Sequence, residues 1–456
     1  MNALLLSTVF GIIMMFTGVL LKQKSAVRNI AIIGVLLLLV FNILEMQGFL
    51  LFHINTDGMM YFDRFALLFN TIAFGCTLIY FILSARDMEK VGNYYSEYFA
   101  LLFFVLCGVI LVASFKSLLI LFLGIEILSI PLYILTGSDK KNLKSNEASL
   151  KYFLMGAFST GLMLMGIALI YGATGTFDTS LLKLGTGHPA VLPVAGMLLL
   201  LFSMSFKVSA VPFHFWTPDV YDGAPTVFTS FMATIVKAAA FIGFIRLFDE
   251  TFGGLQGKWQ IWVALIAAAT LFIGNITAVF QQSVKRMLAY SSIAQAGFML
   301  LALYAMNTEG KEGILLYAAA YSLATIGIFA VLTKLNDQSF EGFNGLARQQ
   351  PLIAAVLTIF LLSLSGIPLT AGFIAKFYML RAAMAGGNML WLVIFAVLMA
   401  VVSVYYYFRV VQAMYFRDGN ATVTVSPAFK WALAVVAFII ILLGIFPQLL
   451  LYWFYF

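Results

Sequence analysis

Apolar residues run on along this chain for about twenty positions at a time, with short polar stretches between the runs. As a helix, such a run matches the ~30 Å hydrocarbon thickness of a bilayer. The pattern predicts fourteen membrane helices, at about 3–22, 29–51, 63–84, 98–115, 117–136, 148–172, 190–221, 225–248, 258–281, 287–307, 313–334, 351–382, 388–414 and 428–454. Alternation of polar and apolar positions is lacking, which excludes a transmembrane β-barrel. The first run is too long for a secretory signal and lacks a small-residue cleavage site, so it counts as the first span. No loop has room for a soluble domain. Residues 1–456 therefore read as one all-α polytopic membrane domain.

Two of these runs are too long for one straight crossing. Residues 190–221 and 351–382 would each extend about 48 Å as continuous helix. Val211-Pro212 interrupts the first and Gly366-Ile367-Pro368 the second. Proline removes a backbone donor and clashes with the preceding turn. In lipid, freed backbone groups persist only where protein or trapped water satisfies them. As spans 7 and 12, the two runs cross in opposite directions, as an inverted repeat requires. Paired interrupted helices point to an ion pathway, against the plainer alternative of two unrelated proline kinks. Carbonyls near Lys207–Pro212 and Gly366–Thr370 are expected to lack helical partners and to face a hydrated cavity.

Composition narrows the field further. The chain is 63% hydrophobic and 10% charged, with a mean hydropathy of +1.02. An ordinary soluble chain is about a quarter charged. Soluble enzymes, nucleic-acid binders and disordered regulators are excluded, and no nucleic-acid partner is expected. The net charge of +7 has its explanation in the positive-inside rule. With the N-terminus outside, cytoplasmic loops and flanks hold fourteen lysines and arginines, Lys22, Lys140, Lys141, Lys144 and Lys285 among them, and the outer side seven, including Lys183 and Arg246. Both termini are expected outside, and the 138–147 loop inside. Cys76 and Cys107 sit in apolar runs and form no CxxC or Cys/His cluster. No GxGxxG, Walker A or haem-attachment motif occurs. No cofactor or metal is expected in this chain.

Four ionisable residues lie inside predicted spans, where each costs about 2.5–3.5 kcal/mol at the helix centre. They are Glu126 in span 5, Lys207 in span 7, Lys237 in span 8 and Lys376 in span 12. Buried ion pairs alone do not account for them, because three lysines face one glutamate. Burial disfavours the charged ammonium and a neighbouring carboxylate favours it. A lysine switched between those environments takes up and releases a proton. Glu126 and Lys207 are expected close enough to pair, with Lys237 and Lys376 continuing one polar line. Lys151, near the start of span 6, and His214, just past the first break, are weaker candidates for access. Asp219 and Asp222 read as capping and loop residues. His53 and His188 fall in expected outer loops and are assigned no chemistry. Trp and Tyr, including Tyr452, Trp453 and Tyr455, read as interface belts, and Met and Phe as packing.

Four segments carry a resemblance: SNEASLKYFLMGAFSTGLMLMGIALIYGATGTFD, FKVSAVPFHFWTPDVYDGAPTVFTSFMATIVKAAAF, VKRMLAYSSIAQAGF and LSLSGIPLTAGFIAKFY. Over about residues 98–415 the chain resembles the antiporter-like membrane subunits of respiratory complex I. WTPDVYDGAPT, with Lys376 in span 12, is most similar to the N-type members. M-type members typically carry a glutamate at that position, and L-type members a long C-terminal lateral helix, whereas this chain ends at Phe456 just after span 14.

The resemblance implies fourteen helices with two inverted five-helix repeats, about spans 4–8 (98–248) and 9–13 (258–414). Three helices would precede them (1–97) and one would follow (428–456). It implies a proton path through Glu126, Lys207, Lys237 and Lys376, driven by quinone reduction elsewhere in an NADH–quinone oxidoreductase. Many relatives have a histidine where span 10 here has Gln295. An amide holds water but carries no proton at neutral pH, so the step from Lys237 to Lys376 would run through water or dispense with the histidine.

By the same resemblance, the whole complex would use NADH or another donor, FMN, iron–sulfur clusters and a quinone. The partners would be an M-type subunit, small membrane subunits such as K, lipids, protons and ordered water. The location would be a bacterial inner membrane. An Mrp-type cation/proton antiporter subunit, or a stand-alone secondary transporter, would use the same charged set. A membrane scaffold that had lost pumping would have no use for it.

Overall fold

A computed structural model describes the chain except residues 22, 53–54, 93, 183–190, 387–388, 422 and 456. Lys22, Lys183, His53 and His188 therefore lie outside the described residues. In chain order the helices are α1 Asn2–Leu20, α2 Lys24–Met46, α3 Arg64–Met88, α4 Tyr95–Ser114, α5 Leu118–Thr136, α6 Leu143–Thr174 and α7 Val191–Lys207. After them come α8 Trp216–Gly223, α9 Thr226–Phe231, a π-helical turn Met232–Val236, α10 Lys237–Phe252, α11 Gln256–Val279, α12 Val284–Ala305 and α13 Thr308–Leu332. The chain continues with α14 Leu346–Gln349, α15 Pro351–Ser365, α16 Ala371–Ala385, α17 Leu390–Phe416, α18 Pro427–Ile445 and α19 Gln448–Tyr455.

Among the described residues, 11 helical stretches are long and apolar enough to cross a membrane. One of these, Thr226–Val279, contains both α10 and α11, joined through a short 3-10 turn at Gly253–Leu255. Val191–Lys207 and Pro351–Ser365 are apolar but shorter. The bundle is layered. The most apolar window of α13 is 100% buried and that of α12 is 94% buried. The windows of α1, α2, α6 and α18 are about one-third buried or less, which puts these helices at the outer surface of the chain.

Both overlong runs are interrupted. The first stops at Lys207, earlier than its proline suggests, because Ser209 takes a left-handed φ of 64°. The chain stays irregular from Val208 until α8 starts at Trp216. The second stops at Ser365, where Gly366 (φ +84°) closes α15 as a left-handed C-cap. Helix α6 is longer than expected, 32 residues without a break, and Asn142 caps it by accepting from the Lys144 N–H.

Two charges expected in loops are structural. Arg246 is 4% exposed. It donates to Asp63 at 3.0 Å, to Glu250 at 3.0 Å and to the carbonyls of Ala113 and Phe115. Lys285 donates to the carbonyls of Asp222 (2.9 Å) and Ala224 (2.7 Å), which the end of α8 leaves free.

Candidate functional site

The four mid-span charges sit on α5, at the end of α7, at the start of α10 and within α16. Lys207 is the last residue of α7, at the negative end of the helix dipole. Its Nζ donates to the Ser129 hydroxyl at 3.2 Å. Ser129 follows Glu126 by three residues on α5 and donates its own O–H to the Ile125 carbonyl. Glu126 accepts from the Thr160 hydroxyl of α6 at 2.7 Å. The expected direct pair is corrected here: among the described residues no ion pair joins Glu126 to Lys207 within 4.0 Å. Two neutral hydroxyls hold the groups in place of a contact. Glu126 is partly exposed, on the same outward face of α5 as Leu123 and Ile130.

The freed backbone of the first break is met largely by protein. The Phe206 carbonyl accepts from the Trp216 indole at 3.1 Å, and the Val211 N–H donates to the Thr270 hydroxyl at 2.9 Å. Hydroxyls of Ser205, Ser209 and Thr217 and Nδ1 of His214 are buried here with no partner among the described residues. Water is the usual partner of such atoms. His214 is 7% exposed and lies inside the connection itself.

Lys237 follows the π-helical turn, a local widening that recurs at functional sites. It is 2% exposed. Its ammonium donates to the hydroxyl of Ser292 and to that residue's carbonyl at 3.1 Å, and lies 5.7 Å from the centre of the Tyr221 ring. Ser292 and Gln295 are three residues apart on α12, so they share a face. The Gln295 amide donates to the Leu364 carbonyl at 2.9 Å and to the Tyr407 hydroxyl at 3.0 Å, while its oxygen accepts from Tyr317.

Lys376 donates to that same Leu364 carbonyl at 2.8 Å, and to the Ser365 carbonyl at 3.1 Å. A lysine from one half of the broken helix thus caps the carbonyl end of the other. This favours its positive charge without a carboxylate. The Phe298 ring lies 4.6 Å from its Nζ. Lys376 is 5% exposed, so its ammonium is held inside the protein and does not extend along the surface. Beside it, Gln295, Tyr317, Tyr321, Ser363 and Lys376 line a small cavity with room for about one water. The polar cavity at this break is therefore small, while a mainly apolar groove of about 380 Å³ opens beside Lys376 along Phe298, Ser365, Gly366 and Ile367.

From Lys237 to Lys376 the line runs as two hydrogen-bonded segments, Lys237–Ser292 and Gln295–Leu364 carbonyl–Lys376, with one helical turn of α12 and no hydrogen bond among the described residues between Ser292 and Gln295. The sequence placed Lys237, Gln295 and Lys376 on it but missed Ser292, Tyr317 and Tyr407, as well as Ser129 and Thr160 at the other end. Their one available signal was helical spacing from a charged or amide residue. Lys151 does not join the line. It bonds Glu147 at 2.7 Å and Asp219 at 2.9 Å, and Arg286 holds the other oxygen of Asp219 at 2.8 Å. Asp219 thus acts as an ion-pair centre and not only as a cap. These groups border a separate polar depression with Lys144 and Asp222.

Residues 115–403, more than half of the chain, match the family described as NADH:quinone oxidoreductase/Mrp antiporter, TM. A chain named NADH-quinone oxidoreductase subunit N from Cytophaga hutchinsonii is 40% identical over 99% of both chains. One of the same name from Flavobacterium psychrophilum is 38% identical over 99% of both. Among solved structures, a chain of respiratory complex I from Thermus thermophilus with bound Aureothin superposes with a TM-score of 0.85 at 32% identity, over 98% of both chains. A chain of the Mrp complex from Dietzia sp. DQ12-45-1b gives 0.87 at 18% identity, over 99% of this chain and 95% of that one, which shows likeness of fold. This chain belongs to the NADH:quinone oxidoreductase/Mrp antiporter family, alongside chains named subunit N of NADH-quinone oxidoreductase.

Proposed function

We propose that this chain is the antiporter-like, proton-translocating membrane subunit N of an NADH–quinone oxidoreductase of the complex I type. The observation that carries this reading is the buried line from Lys237 to Lys376, which meets the second break at a carbonyl both sides share. Protons would enter toward Lys207 under the field of Glu126, pass to Lys237, and cross to Lys376 on hydroxyls and water ordered by Gln295. The amide orients this step and carries no proton. The unpartnered hydroxyls at the first break supply water sites between Lys207 and the rest of the line. Redox groups (NADH or another donor, FMN, iron–sulfur clusters and a quinone) belong to other subunits. Quinone reduction there would perturb the charges here. An M-type subunit and small subunits such as K are the proposed neighbours. The Mrp-type alternative rests on likeness of fold and is less specific than the full-length subunit N relatives.

Lys207→Arg tests the relay. Arginine keeps the charge, so it preserves the electrostatics of the first break, but it does not release its proton. In fully assembled complexes we expect proton translocation to fall at least about a hundredfold, where a positioned acid–base group is worth on the order of 10²–10⁴ in rate. Normal proton-to-electron ratios would reduce Lys207 to a structural counter-charge.

Fourteen crossings, two inverted five-helix repeats, a bacterial inner-membrane location and outward-facing termini complete the proposal. Cysteines introduced at position 140 and near position 455 should then react with impermeant reagents from opposite faces of sealed vesicles. Reaction from one face would show that the span count is off by one.

A further inference from the structure

At one end of the bundle, the start of α2, the end of α3, the segment after α13 and the start of α18 enclose a cleft of about 320 Å³. Arg28, Arg86 and Lys334 line it together with apolar side chains, Ile32, Ile82 and Ala432 among them, and with Thr424 and Ser426. Lys334 is already committed, at 2.6 Å, to Asp87, which Lys90 also meets at 2.9 Å. Glu89, the other acid of this corner, faces Lys24 at 4.0 Å. Arg28 and Arg86 have no ion-pair or hydrogen-bond partner among the described residues, although Arg28 is only partly exposed. The cleft thus presents two guanidinium groups free to bond outward, beside apolar side chains.

The flanking surfaces identify the occupant. Helices α2 and α18 are both about one-third buried within the chain. Their outward faces are apolar beside the cleft, with Ile33, Leu36 and Val40 on α2 and Trp431, Val435 and Phe438 on α18. Paired guanidinium groups recognise phosphate oxygens through forked hydrogen bonds. An acyl chain leaving such a phosphate would continue down the apolar groove. We infer that Arg28 and Arg86 form a binding site for the headgroup of an anionic phospholipid, seated between α2, α3 and α18. Basic pockets between membrane helices favour such headgroups on general electrostatic grounds. The apolar continuation favours lipid over a free anion. The site stands apart from the lysine line and does not depend on its function.

The test uses the assembled complex in mixed micelles with a photoreactive phosphatidylglycerol, followed by mapping of the labelled peptides. Labelling is expected on peptides from α2, α3 and α18, and little with the phosphatidylcholine analogue. Each basic group near a headgroup contributes about fivefold, so Arg28→Gln with Arg86→Gln should lower labelling about thirtyfold. Arg28→Lys with Arg86→Lys keeps the charges and loses the forked hydrogen bonds, so its labelling should fall between that of the unsubstituted chain and that of the glutamine variant. Ala432→Trp fills the wall without touching the charges and should also lower it, which keeps the test decisive if the glutamine variant does not assemble. Equal labelling in every variant, or equally strong phosphatidylcholine labelling, would overturn the site. So would loss of labelling in excess inorganic phosphate, the mark of a free-anion site, or cross-linking of the cleft to another protein chain.

Discussion

In an assembled complex, Lys237→Met should lower proton translocation and the quinone turnover coupled to it by about a hundredfold, the low end for loss of a positioned acid–base group. Methionine keeps most of the side-chain volume but has no proton to give. The substitution also withdraws the N–H donors from the Ser292 hydroxyl and carbonyl. An unmet buried polar group costs about 1–3 kcal/mol, so some loss of assembly accompanies it. Turnover is therefore measured per assembled complex, beside Ser292→Ala, which removes the hydroxyl and leaves the lysine. Ser292→Ala should slow transfer less than Lys237→Met, because the Ser292 carbonyl still holds the ammonium. Equal, near-normal ratios in both would remove Lys237 from the path.

The charged members of this site were legible because lipid makes each of them costly. Glu126, Lys207, Lys237 and Lys376 needed a reason wherever they fell in a span. The neutral members carried no such signal. Tyr317 and Tyr407 are two of 20 tyrosines, a residue type that also populates membrane interfaces. Nothing in sequence separates a tyrosine bonded to Gln295 from one at an interface. Ser292 and Ser129 become meaningful only once α10 is known to face α12, and α7 to face α5.

Opposite charge suggested a Glu126–Lys207 contact, and here sequence reasoning overreached. Charges attract across several ångströms, and side-chain hydroxyls satisfied each group first. With three lysines against one glutamate, the sequence leaves Lys237 and Lys376 without an acidic partner and does not say what else holds them. The structure uses carbonyls instead: the end of α15 for Lys376 and the Ser292 backbone for Lys237. A helix end is a fixed partial charge that brings no titrating group of its own. A lysine held this way can lose its proton without leaving a buried carboxylate stranded.

The fold shows the same division. The apolar runs and their two interruptions were visible as hydropathy and proline. The stop at Lys207 depends on the left-handed Ser209, and the π-helical turn before Lys237 on local backbone hydrogen bonding, neither of which has a composition signature. Arg246 was counted as a loop charge because it lies near a span end. Its burial against Asp63, Glu250 and two carbonyls is set by how α3, α4 and α10 meet.

Gly366→Ala should impair turnover more than it impairs assembly, and Gly372→Ala the reverse. Gly366 holds φ at +84°, a conformation that costs an alanine about 1–2 kcal/mol. A Cβ there would lie 2.9 Å from Cδ of Lys376, a flexible side chain that yields. As it yields, the ammonium leaves the Leu364 carbonyl and the line through Gln295 is broken at its shared acceptor. Gly372 faces backbone instead: a Cβ would lie 1.9 Å from the Ser363 carbonyl oxygen. Nothing there moves cheaply, so α15 and α16 must separate, at a cost typical of overpacking, about 1–3 kcal/mol or more. Subunit abundance in the purified complex and turnover per assembled complex are measured for both variants. We expect Gly366→Ala to keep near-normal abundance with turnover lowered about tenfold, on the same acid–base scale. Gly372→Ala should lose abundance, with the surviving complexes less affected. Full turnover in Gly366→Ala would mean that Lys376 works without its place on the α15 carbonyls, and the second break would then be a packing feature with no part in proton transfer.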